Sequence, residues 1–271
     1  MSGPPAWVAA VIVALGIGAL AFFAYGRGTR RTARVPLSPA LRARDWHAEL
    51  SRHVRLYRRL PATLQPKLHG RLEAFLGRVE FAGCAGLQVT DEMRLVIGSQ
   101  ACILALGLPE DALADPWGVS VYPDEFLVEE RDEDEDSGIV TEGVRALSGQ
   151  TLDTDRIVLS WRDVVEAQQR DDGYNVVVHE FAHFMDHAAG LAGSRGHAAL
   201  QREYAALCDA VDRGEDTLID PYGAEDPAEF LAVAAEAFLE LPRELRDAHP
   251  ELYDALRELL GLDPADWPDV P

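Results

Sequence analysis

The chain has 271 residues, of which 48% are hydrophobic, and carries a formal net charge of −21. That is enough for one large domain or two small ones with a real core, and too acidic for nucleic acid to be an expected partner. The three cysteines, Cys84, Cys102 and Cys208, lie far apart with no CxxC pair, which argues against a disulfide framework or a cysteine zinc site and agrees with free thiols in a reducing compartment.

Residues 6–25, AWVAAVIVALGIGALAFFAY, hold no charge. Twenty helical residues span roughly 30 Å, the thickness of a bilayer core. Positive charge follows this run at Arg27, Arg30, Arg31 and Arg34. A cleaved signal peptide would carry it in front. Residues 1–26 are therefore expected to be a single-pass transmembrane anchor, with the catalytic remainder on the cytoplasmic side. Residues 27–63 read as a basic linker and an amphipathic helix at 41–59, solvated or docked on headgroups.

Residues 64–78 read as a helix. The stretch 86–108 reads as a short strand and then a mostly buried helix, for which Asp91 is the better N-cap than Thr90. SVYPDEF (120–126) and RIVLSW (156–161) read as strands. Between them EERDEDEDSG, 129–138, is too charged to pack and is expected to be a solvated loop. From residue 172 the pattern is helical, at about 172–189, 195–213, 226–241 and 243–261. The order implies an α+β fold, mostly helical with a small sheet, over residues 64–264, with a tail at 265–271.

The chemistry concentrates in NVVVHEFAHFMDH, residues 175–187. His179-Glu180-Phe181-Ala182-His183 is HExxH. On a helix, positions i and i+4 lie about 40° apart around the axis and about 6 Å along it, so the two imidazoles can converge on one ion. Glu180 is placed to take a proton from a metal-activated water without being a ligand. The alternative, two hydrogen-bonded core histidines, leaves three costly polar groups in an apolar helix. His187 stands about 12 Å further along the axis from His179, too far to share the ion.

A catalytic zinc needs a third protein ligand. The helix AEDPAEFLAVAAEAFLEL, 224–241, offers Glu229, Glu236 and Glu240. Glu229 and Glu236 share a face. Glu236 sits among Val233, Ala234, Ala235, Ala237 and Phe238, so its carboxylate needs a partner, and it is the expected third ligand. Glu229 and Glu240 can be plain surface charges. Tyr222 is either an oxyanion donor or an ordinary loop tyrosine.

The stretches FAGCAGLQVTDEMRLVIGSQACILALGL, IVLSWRDV, DGYNVVVHEFAHFMD and DPAEFLAVAAEAFLELP resemble, in the same order, the Mlc titration factor A family of zinc-dependent peptidases. That group is gluzincin-like and related in its catalytic core to anthrax lethal factor. The resemblance implies a zincin-like domain with one Zn2+ per chain, held by His179, His183 and Glu236, with Glu180 as general base. It also implies that residues 157–161 form the edge strand beside the cleft, where a peptide substrate adds as a strand. A peptide or protein substrate is the expected partner. The competing expectation is a membrane-tethered module of the same fold that sequesters a regulatory protein partner.

Overall fold

The runs GVSVY and RIVLS become neighbouring parallel strands because both are buried almost throughout, as strands covered on both faces must be. The computed structural model describes residues 45–113, 118–124, 126–133, 140–147, 149–152, 156–170, 172–189 and 197–268. The expected anchor at residues 6–25 lies outside them. Among the described residues no helix is long and apolar enough to cross a membrane.

In chain order the helices are α1 (Trp46–His53), α2 (Arg55–Arg59), α3 (Gln65–Arg78), α4 (Asp91–Leu104), α5 (Trp161–Ala167), α6 (Val176–Ala189), α7 (His197–Asp212), α8 (Pro227–Glu240), α9 (Pro242–Ala248) and α10 (Pro250–Leu260). The strands are β1 (Glu80–Gly83), β2 (Gly118–Tyr122), β3 (Phe126–Glu133), β4 (Val140–Leu147), β5 (Gly149–Leu152) and β6 (Arg156–Ser160). One sheet has the order β1-β2-β6-β5, parallel except for β5, and β3 pairs with β4 as a separate antiparallel hairpin. The architecture is α+β, mostly helical with a small sheet.

Five expectations need correction. The segment 156–160 is not an edge strand: β6 is flanked by β2 and β5, and the edge falls to β5, Gly149–Leu152. The acidic stretch is not simply a loop, since residues 126–133 pair with 140–147 in register from Phe126↔Leu147 to Glu133↔Val140. A ladder of backbone hydrogen bonds needs no apolar side chains. The helical part of 27–63 is no outlying linker, because Leu50, Val54, Leu56, Tyr57 and Leu60 are all buried in the main core. The N-cap of α4 is Thr90, whose Oγ1 accepts the Met93 N–H at 3.2 Å. The last helix is also divided, at Pro250, which opens α10 because proline lacks the N–H an uninterrupted helix would need there.

The helix α4 is buried along its whole length from Met93. A Cβ at Gly98 would stand 2.9 Å from Leu72 Cδ1 and 3.1 Å from Phe75 Cε1, so the missing side chain lets α3 press against α4. The helices α6 and α8 pack against each other on this core. Their facing residues build the site.

Candidate metal centre

Three consecutive valines open α6, against their weak helix propensity. Burial decides the matter: Val176, Val177, Val178, Phe181, Ala182, Phe184 and Met185 are all in the core. The helix start is secured by Asn175, whose Oδ1 accepts the Val178 N–H at 3.1 Å. One turn in, the rings of His179 and His183 stand edge to face with centroids 4.8 Å apart.

The helix α8 begins with Asp226 and Pro227. Asp226 Oδ1 accepts the N–H of Ala228 at 2.7 Å and that of Glu229 at 3.0 Å. The cap therefore fixes Glu229 in the first turn. Its Oε2 lies 3.1 Å from His179 Nε2 and 3.3 Å from His183 Nε2, and the two Nε2 atoms are 3.1 Å apart. Of the carboxylates expected to be surface charges, Glu229 is at the centre of the site. Glu240 is buried as well.

Glu236 sits elsewhere than expected. Its Oε1 accepts from Nδ1 of His179 at 2.8 Å, on the side of the ring away from the Nε2 triangle. Its Oε2 accepts the backbone N–H of Asn175. Seven residues separate it from Glu229, about 10 Å along the helix axis. That rise carries Glu236 past the ring edge that faces His183, so it braces the imidazole from behind. The group of three side chains whose ligating atoms lie within 4.8 Å of one another is His179, His183 and Glu229, without Glu236.

Glu180 is buried beside His179, and its charge helps to raise that imidazole. Tyr222 lies in the short 3-10 turn Pro221–Ala224, where Asp220 Oδ1 accepts its backbone N–H at 2.8 Å. Its ring centroid is 6.1 Å from that of His179. Gly223 makes this approach possible: a Cβ there would meet Val233 Cγ2 at 2.5 Å and push the turn off α8. Tyr222 and Glu236 thus lie against His179, and Glu229 lies against both histidines. The signal for Glu229 was its first-turn position behind the Asp226-Pro227 cap.

Burial opposes a proton on His179, but the contacts with Glu229 and Glu236 outweigh it and push the imidazole up to about 10. Burial likewise opposes charge on Glu229, and the close His179 and His183 hold its carboxyl well below the usual carboxylate range. The two α8 carboxylates thus favour positive charge at the His179 ring. Glu229 Oε2 is buried and makes no hydrogen bond of good geometry, although two imidazole nitrogens face it. Four ligands at 2.0–2.1 Å around a tetrahedral zinc stand about 3.3 Å apart. Edges of 3.1, 3.1 and 3.3 Å make one face of such a tetrahedron, so the donor set and its spacing fit a zinc ion.

A family model described as the glucose-regulated metallo-peptidase M90 matches residues 27–260. The chain belongs to this family. An uncharacterised protein of Synechocystis is 34% identical over 242 residues, covering 84% of this chain and 86% of its own. Mlc titration factor A of Pectobacterium atrosepticum is 32% identical over 232 residues, 81% of this chain and 86% of its own. The namesake from Serratia proteamaculans is 32% identical over 192 residues, 66% and 72% of the two chains. The M90 match begins at residue 27, so α1 and α2 fall within the family's span, in keeping with their burial.

Proposed function

We propose that this M90 metallo-peptidase is a zinc-dependent peptidase whose ion is held by His179, His183 and Glu229. The single observation behind this is the triangle of donor atoms, two imidazole nitrogens and one otherwise unpartnered carboxylate oxygen, at tetrahedral spacing. Bound there, zinc would polarise a scissile carbonyl and lower the pKa of a water toward about 7.

The chain's own groups supply the rest. Glu180 takes the proton of the attacking water and hands it to the departing amine. The Tyr222 phenol donates a hydrogen bond to the oxygen that gains charge as the carbonyl becomes tetrahedral. Glu236 holds the His179 ring so that Nε2 faces the ion. A substrate in extended form can add to the β5 edge, the strand nearest α6 with an unpaired side. The uncharged run at residues 6–25 supports a membrane tether for this activity, with the peptidase on the cytoplasmic side. Membrane fractionation with and without those residues tests that part.

Cleavage of a mixed peptide library should fall by about 10²–10⁴-fold in Glu180→Gln while zinc content stays at one per chain. Equal turnover by the two proteins refutes the mechanism. A second reading, capture of a protein partner without cleavage, takes its support from the relatives' name, Mlc titration factor A. It requires that Glu180→Gln keep its biological effect in full.

A further inference from the structure

Behind the metal centre a closed circuit of hydrogen bonds joins five parts of the fold. The Arg55 guanidinium of α2 donates from Nη2 to Oε2 of Glu240, at the end of α8, at 2.6 Å. Glu240 Oε1 accepts from Nδ2 of Asn175 at 2.6 Å. The same Nδ2 donates to Oε1 of Gln100 on α4 at 2.9 Å, and that oxygen also accepts from Nε2 of Gln168, just after α5, at 2.9 Å. Gln168 Oε1 accepts the backbone N–H of Arg55 at 3.0 Å, which closes the circuit. Arg59 adds two bonds from Nη1 to the carbonyls of Leu239 and Glu240, at 3.1 and 2.9 Å.

Asn175 is where this circuit meets the site. Its amide orientation is forced: Nδ2 serves two acceptors while Oδ1 accepts the Val178 N–H. Its backbone N–H holds Glu236, and Glu236 holds Nδ1 of His179. Asn175 and Gln100 are 0% exposed and Glu240 is 4% exposed. In so dry a place a hydrogen bond is strong and an unpaired polar atom costly, so the members hold one another in a single arrangement.

Resting on the metallopeptidase reading above, we propose that Asn175 is a positioning residue for the metal centre. Through it, the seating of Arg55 on Glu240 sets how tightly the site holds its ion.

The test uses the full chain stripped of metal, titrated with Zn2+ against a chromophoric chelator and, separately, with Co2+ to record its visible absorption spectrum. Asn175→Asp replaces the two donors with an acceptor facing Glu240. It should weaken zinc affinity by about tenfold or more and alter the cobalt spectrum, with peptide KM unchanged. Adding Glu240→Gln restores a donor opposite that acceptor and should recover most of the affinity. Wild-type affinity and an unchanged spectrum in folded Asn175→Asp, even with a lower melting point, overturn the inference. Should that variant fail to fold, Arg55→Gln at the far end of the circuit decides: a several-fold loss of zinc affinity supports the link and wild-type affinity overturns it. A wild-type chain that binds neither ion overturns the metallopeptidase reading itself. Normal wild-type binding with unaffected variants removes only the coupling.

Discussion

Nδ1 of His179 donates to Oε1 of Glu236 at 2.8 Å, and Nε2 of the same ring faces Oε2 of Glu229 at 3.1 Å. One imidazole therefore separates two carboxylates of the same helix into different jobs. Removing them should have different consequences. Glu229→Ala should abolish stoichiometric zinc binding, whereas Glu236→Gln should keep one zinc but with about 10–100-fold weaker affinity. Chelator competition on the purified proteins measures both. The reverse ranking would return the ligand role to Glu236.

The Asp226 cap joins stability to metal binding, because one of its two bonds goes to the Glu229 N–H. Asp226→Ala should cost about 1 kcal/mol and also weaken zinc affinity. Thr90→Ala removes the cap of α4 at a similar cost of about 1 kcal/mol, in a helix that carries no candidate ligand and at the end away from Gln100, and should leave zinc affinity intact. Thermal melts beside zinc titrations separate the two. An equal loss of affinity in both variants would contradict the argument.

Tyr57 is fully buried, and its OH lies 3.0 Å from both His47 Nδ1 and His69 Nε2. Burial, with a smaller contribution from Asp45, pushes its phenol from the ordinary 10 up to about 12. The folded state thus holds this proton more firmly than the unfolded state does. The stabilisation is complete below pH 10 and is lost as pH climbs from 10 toward 12. Tyr57→Phe should flatten the fall of melting temperature over that range. An unaltered alkaline slope would show that Tyr57 does not drive it.

Of the three free cysteines, Cys102 is fully buried and Cys84 and Cys208 are partly exposed. Burial pushes the Cys102 thiol well above its usual range. An aromatic disulfide reagent should modify Cys84 and Cys208 in the native protein and reach Cys102 only on unfolding. Mass spectrometry of the labelled peptides identifies the sites. Native modification of Cys102 would show that α4 opens more readily than its packing allows.

Much of the fold was legible because burial leaves a periodic trace. The helices at 65–78, 91–104 and 176–189 and the strand at 156–160 sit close to where apolar spacing put them. The β3–β4 hairpin left no such trace, because its pairing is made by backbone hydrogen bonds that the side-chain pattern does not encode. The arginines around α2 misled for a related reason. A basic stretch looks solvated, yet Arg55 and Arg59 are bonded to the end of α8.

By itself the sequence determined that His179 and His183 face one point, with Glu180 beside them, because helical spacing alone brings residues four apart to the same side. It also offered three carboxylates on α8 as candidate partners for those rings. Only the tertiary structure brought one of them, Glu229, against both imidazole Nε2 atoms. Glu229 and Glu236 share a face, and the choice depends on how far α8 is advanced along α6. That offset is set by the packing of two helices distant in sequence, which no local pattern encodes.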